Sequence, residues 1–241
     1  MTTATTTSTT IALVTGATRG IGRETVRRLA ALGWTVWLGA RDAEQGAAVA
    51  ADIPGDVRVV GLDVLDDASV TAAADTIERA CGRLDVLVNN AGVPGGFVSP
   101  RVTVAAHFLP VYGVNVLGPV RTTHAFLPLL DRSSQPRIVM VSSGMGSFGI
   151  TSDPDRFEST LHALTYTSSK AALNMIATQY AKSLTGYQVS AVDPGYTSTE
   201  FNGFRGTQTV EQGAESTVRA ATLEPGAPTG TFTDATGVVP W

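Results

Sequence analysis

The sequence is poor in the residues that build metal and redox centres. Among its 241 residues there is one cysteine, Cys81, which excludes an internal disulfide and any thiolate-cluster metal site. The histidines, His107, His124 and His162, are too scattered for a metal-ligand motif, so no metal is expected. No apolar stretch reaches the roughly 20 residues that cross a bilayer. The opening MTTATTTSTT lacks both the charged start and the apolar middle of a secretory signal. It also lacks the arginine of an organelle-import helix, since the first arginine is Arg19. A disordered leader over residues 1–10 and a cytoplasmic location are expected. The 17 basic residues against 21 acidic ones give a net charge of −4, and none of them form a basic block. A nucleic-acid or anionic-membrane surface therefore has nothing to gather its attraction from, and a small-molecule partner is expected.

What is present is an alternation of short β-branched runs with longer alanine-rich segments of helical period. The runs are IALVT (11–15), TVWLG (35–39), VRVVGL (57–62), DVLVN (85–89), RIVMVS (137–142) and QVSAVD (188–193). Segments such as GRETVRRLAALG and ASVTAAADTIERACG carry apolar residues at helical spacing and end in glycine, as capped helices do. Strand–helix–strand repeats of this kind predict an α/β fold, a doubly wound parallel sheet with helices on both faces. No linker rich in Pro, Ser and Gly divides the chain and no repeat recurs, so a single domain over 11–241 is expected. The segment Gly203–Thr209 reads as a mobile loop over the site, and TFTDATGVVPW as a last strand with an apolar terminus packed on the body.

Gly16, Gly20 and Gly22 stand between the first strand and the first helix. There they permit a sharp turn and let a pyrophosphate approach main-chain N–H groups at a helix N-terminus, as in Rossmann dinucleotide-binding domains. Their spacing is G-x-x-x-G-x-G, not the commoner G-x-G-x-x-G. The end of the second strand reads Ala40, Arg41, Asp42. A basic group here meets the 2′-phosphate of NADP, and an acid meets the ribose hydroxyls of NAD. Arg41 suits the phosphate, and Arg19 can close on it from the other side. Asp42 fits NAD, but with Gln45 it also resembles a capping box for the next helix. The two arginines favour NADPH.

In LTYTSSKAAL, Tyr166 and Lys170 lie one helical turn apart on a shared face. A phenol titrates near ~10, and a neighbouring ammonium is expected to lower that value and make Tyr166 a proton donor or acceptor. Ser142 and Ser143 end the fifth run, NNAG (Asn89 to Gly92) ends the fourth, and Asn115 sits in YGVNVLG.

With TGxxxGxG, Tyr-x-x-x-Lys and DPGYTST, this set resembles the short-chain dehydrogenase/reductase family from Ile11 onward. The resemblance implies carbonyl reduction with NADPH. It implies that Ser143 hydrogen-bonds the substrate oxygen, that Tyr166 donates the proton, and that Lys170 holds the nicotinamide ribose and tunes Tyr166. It further implies that Asn115 positions a water linking Lys170 to solvent. By the same resemblance Thr18 and Ile21 join the glycine loop in binding cofactor. Asp63 with Val64 meets the adenine, and Asn90, Ala91 and Gly92 form a cofactor floor. Pro194, Gly195 and Thr197 run along the nicotinamide, and Thr199 lies near its carboxamide.

One departure from the family pattern is the separation of Ser143 and Tyr166, 23 positions (166 − 143), which holds the extra segment GSFGITSDPDRFEST. In carbonyl reductases of the family such an insertion covers a helix face otherwise used between subunits, which leaves the oligomeric state open. Phe148, Phe157 and His162 from this segment, with Phe201 and Phe204, either surround a pocket for an apolar, ring-bearing ketone or aldehyde or pack within the insertion itself. Two other functions use the same fold. An NAD-linked alcohol dehydrogenase would have no use for Arg41 and Arg19 as placed, and a non-catalytic dinucleotide sensor would not need Ser143, Tyr166 and Lys170 together.

Overall fold

The computed structural model describes residues 9–241. Seven strands form one parallel sheet: β1 (Ile11–Val14), β2 (Thr35–Ala40), β3 (Asp56–Gly61), β4 (Val86–Asn89), β5 (Arg137–Val141), β6 (Gln188–Val192) and β7 (Thr231–Thr233). Their spatial order is β3-β2-β1-β4-β5-β6-β7, so the winding reverses between β1 and β4. That reversal opens a crevice at the carboxyl ends of the strands. The helices are α1 (Gly20–Ala31), α2 (Ala43–Ala51), α3 (Asp67–Cys81), α4 (Phe108–Tyr112), α5 (Gly118–Leu130), α6 (Phe148–Thr151), α7 (Leu164–Ser183) and α8 (Val210–Ala221).

Strands covered on both faces need apolar side chains at every position, which is why they read as runs and not as alternations. The two-residue period then sorts those side chains between two cores. Leu13, Leu87, Ile138 and Met140 pack with Ile77 of α3, Phe126 of α5 and Leu173 of α7. Val14, Val88, Val139 and Val141 pack on the other face with Leu29 of α1 and Val218 of α8. Smaller side chains on this second face let α1 and α8 lie close to the sheet.

Helix ends follow local chemistry. Asp42 caps α2 by accepting from the Glu44 and Gln45 N–H groups at 2.9 and 3.0 Å, which accounts for the acid beside Arg41. Asp66 caps α3, and α3 closes on Gly82 in the left-handed conformation. None of the described helices is long and apolar enough to cross a membrane.

The chain differs from expectation at Thr10 and at Gly203–Thr209, while the expected last strand and packed terminus are found. Of the leader, residues 1–8 lie outside the described residues, but Thr10 already joins the fold, its carbonyl accepting from Thr35 N at 3.0 Å. The segment Gly203–Thr209 is folded back on the turn after β6: Ser198 N donates to Gln208 O at 2.9 Å and Thr207 N to Tyr196 O at 2.8 Å. The inserted segment anchors to the end of the chain, with Ser147 Oγ donating to Pro240 O at 2.6 Å and Gly149 N to Trp241 O at 3.0 Å. Trp241 itself rests on Phe232 of β7, ring centroids 5.4 Å apart.

Candidate active site

The glycine loop leaves β1 and enters α1 at the crevice. Gly16 (φ 61°) and Gly20 (φ 53°) both adopt the left-handed backbone that favours glycine. At Gly22 a Cβ would collide with the Asn90 amide and sit 2.8 Å from Gly16 O, so the third glycine keeps α1 against the loop. Asn90 ties the loop down: its Nδ2 donates to Thr15 O and Gly16 O at 2.8 and 3.0 Å. Thr15 answers with its hydroxyl, which accepts from Asn90 N and Ala91 N, both at 3.0 Å. Asn90 and Ala91 thus hold the phosphate loop's shape.

Unlike α2 and α3, α1 begins at Arg19 with no side-chain cap. Its first-turn N–H groups and positive dipole end face the loop, a fit for a pyrophosphate. Thr18 and Ile21 flank this end, and the methyl of Thr199 lies 3.3 Å from where a Gly20 Cβ would stand. Arg41 is exposed just beyond β2. Arg19, expected on the same phosphate as Arg41 from the other side, has its guanidinium in an exposed ion pair with Glu200. Asp63 Oδ1 accepts from Leu65 N at 2.9 Å, and Val64 O from Arg121 at 2.5 Å, which fixes the turn after β3.

Ser143, Tyr166 and Lys170 gather beside the end of β5. Tyr166 and Lys170 share one face of α7, with the ammonium 5.7 Å from the phenol ring centroid. Lys170 is buried and donates to Val141 O at 2.7 Å, at the end of β5. Burial lowers its pKa to about 8, against an opposing pull from Asp193. Ser143 is the second residue beyond β5. Its Oγ accepts from Met145 N at 3.2 Å, and its side chain neighbours the Tyr166 phenol and favours the phenolate. The expected acidification of Tyr166 is not found: burial of its hydroxyl pushes the phenol above its ordinary value, and the neighbouring Ser143 only partly offsets this. Ser142, by contrast, is buried and bonds Asn174 Oδ1 at 2.5 Å, so it braces β5 against α7.

Asn115 lies fully buried in a π-helical turn, Gly113–Leu117, between α4 and α5. Its Oδ1 accepts from Val93 N at 2.9 Å, and its Nδ2 donates to Val93 O and Ser169 Oγ, each at 3.0 Å. The side chain therefore joins the segment after Gly92 to α7. A Cβ on Gly92 would lie 3.5 Å from Asn115 Oδ1 and 3.8 Å from Lys170 Nζ, so this glycine sits beside both. After β6, Gly195 (φ 70°) turns the chain, and the Thr197 hydroxyl donates to Pro194 O at 3.0 Å. Thr197 is buried against Gly213 of α8, where it fixes the turn.

The aromatic residues divide. Phe201 meets Tyr166 edge to face, centroids 5.8 Å apart, and Phe157 packs on Tyr196 at 6.3 Å. Phe148 and Phe204 are exposed, and neither packs inside the insertion. His162 lines an open groove of about 550 Å³ with Phe97, Val98 and Leu161. Sequence reasoning missed Glu200, Thr15 and Ser169. Thr15 had a signal, since a hydroxyl at a strand end can bond two amides of the next strand's turn, whereas the other two meet partners 181 and 54 positions away.

Known proteins resemble this chain in sequence and fold. A family model of short chain dehydrogenases matches residues 10–209. The (+)-neomenthol dehydrogenase of Arabidopsis thaliana is 34% identical, with 88% of this chain and 91% of that protein covered. The structure of salutaridine reductase from Papaver somniferum superposes with a TM-score of 0.81 at 30% identity, covering 93% of this chain and 99% of that one. NADPH-bound carbonyl reductase from chicken fatty liver superposes with a TM-score of 0.84 at 27% identity, covering 97% and 99%. With its matched length, its seven-stranded parallel sheet and a serine, tyrosine and lysine gathered at the carboxyl edge, the chain belongs to the short-chain dehydrogenase family.

Proposed function

We propose that this protein is an NADPH-dependent carbonyl reductase that converts apolar, ring-bearing ketones or aldehydes to alcohols in the cytoplasm. The observation that carries the reading is the placing of Tyr166 beside Ser143 and one helical turn from a buried Lys170, whose ammonium is 5.7 Å from the phenol ring centroid and is anchored on the end of β5. NADP(H) suits the glycine loop for three reasons. The uncapped start of α1 offers amide donors, Arg41 stands free of the α2 cap, and Asp42 is already engaged as that cap.

Bound NADPH supplies the hydride. Tyr166 donates its phenolic proton to the carbonyl oxygen, and a phenol held above its ordinary value stays protonated at neutral pH, as a general acid must. Ser143 donates a hydrogen bond to the same oxygen and stabilises the negative charge that develops there. Lys170, anchored on Val141 O, brings positive charge to the phenol as its proton leaves. Asn115 keeps α7 and the Val93 segment in register, which holds Lys170 in place. In the groove, Phe97, Val98, Pro100 and Leu161 offer apolar surface for a ring, and Ser99, Thr160 and His162 offer polar groups beside it. The neomenthol and salutaridine enzymes bear names of cyclic compounds, which supports the same substrate class.

The test is NADPH absorbance with a panel running from small aldehydes to bulky cyclic and aromatic ketones. Turnover is expected with the cyclic members. Tight NADPH binding without turnover of any of them would instead make the protein a nucleotide sensor.

A further inference from the structure

We infer that Asp193, the last residue before the Pro194–Gly195 turn, is a positioning residue for carbonyl reduction, clamping the Ser143 turn to the turn after β6 and holding negative charge behind Lys170. This rests on the reading of Ser143, Tyr166 and Lys170 as the reacting set.

Asp193 is a buried acid with no arginine or lysine within ion-pair distance among the described contacts. Its main chain is pinned on both sides, N–H to Thr233 O at 2.8 Å and carbonyl to Ser216 Oγ at 3.0 Å. Its carboxylate reaches across two loops. One oxygen, Oδ1, accepts from Gly195 N at 2.9 Å, and the other lies against Gly144, whose amide favours the carboxylate. Gly144 follows Ser143, and a Cβ there would stand 2.8 Å from Asp193 Oδ2, so the acid lies directly against the serine turn. One side chain thus couples the residue facing the substrate oxygen to the backbone expected along the nicotinamide.

The charge has a direction of action. Lys170 from α7 is the cation that feels Asp193, whose field opposes the loss of the ammonium's proton in its buried site. Glu158 from the 3-10 turn Phe157–Thr160 and Asp234 after β7 face Asp193 with like charge, and Tyr166 feels it as well. Burial and these two acids push the Asp193 carboxyl above the ordinary carboxylate range, while the Gly195 and Gly144 amides hold it back. As pH falls through that raised value, the carboxylate takes up a proton. One clamping oxygen then becomes a donor facing an N–H, and the charge behind Lys170 disappears.

The experiment measures the pH dependence of kcat and kcat/KM for wild type, D193N and E158Q, with the panel ketone that the wild type reduces fastest. Wild-type turnover separates the two levels of the argument: its absence overturns the reductase reading, and its presence makes the variants decisive. In D193N the acid limb is expected to vanish. The alkaline limb is expected to move down by roughly one pH unit, at the low end of what a neighbouring opposite charge produces. In E158Q, where a mostly buried like charge is removed, the acid limb moves to lower pH while the alkaline limb stays. A D193N enzyme with uniformly lowered kcat and both limbs in place would show a purely structural clamp and overturn the proposal. Should D193N not fold, an acid limb unmoved in E158Q has the same force.

Discussion

Arg19 in the glycine loop and Glu200 after β6 form an ion pair that joins the two segments on which the cofactor would rest. Both side chains are more than half exposed, 65% and 52%, so solvent screens the attraction and the pair is worth little. Arg19 is therefore available to a phosphate at small cost. Replacing Glu200 with Gln is expected to tighten NADPH binding about two- to fivefold, the range an exposed pair allows, with NADH affinity unchanged. Fluorescence titration of both cofactors checks this. Equal tightening for both would remove Arg19 from phosphate recognition.

Arg41 is expected to carry most of the cofactor discrimination. A charge-assisted contact to a phosphate contributes roughly 1.5–3 kcal/mol. R41A should lose about ten- to a hundredfold in NADPH affinity and leave NADH within about twofold. A parallel loss for both cofactors in the same titration would show that Arg41 is only a surface charge.

The fold was legible because its chemistry is local. Six strand-forming runs, the glycine C-cap of α3 and the Asp42 cap are all written in stretches of a few residues, and the structure has each of them. Tyr166 and Lys170 were legible for the same reason, since helical spacing fixes their shared face. Depth was not. The phenol's raised value comes from desolvation by segments far away in sequence, which spacing alone does not report. Long-range partners escaped too: Glu200 meets Arg19 across 181 positions, and Asn115 uses its side chain on Val93 and Ser169 within a π-turn that no local pattern announces.

Lys170 gives a pH dependence with a definite sign. Burial lowers its pKa to about 8, so the ammonium is lost as pH rises through that value, well below the ordinary lysine range. Reductive kcat/KM should fall above pH about 8, and K170R, whose guanidinium stays charged, should lose that limb at the cost of lower turnover. For stability the sign is opposite. Between about 8 and the ordinary value of 10.5 the unfolded chain still holds the proton that the folded chain has released, so this group adds stability as pH rises through that window. Chemical denaturation at the two ends of the window, compared with K170M, isolates the contribution.

The most direct test of the account is Tyr166→Phe, assayed for ketone reduction and for NADPH binding together. Removing the one hydroxyl leaves the ring against Phe201 and the Lys170–Val141 bond in place. Turnover should fall by about 10²–10⁴, the range of a lost general acid, with NADPH affinity within about twofold of wild type. A variant that binds NADPH normally and keeps more than about a tenth of its turnover would contradict proton transfer from this phenol.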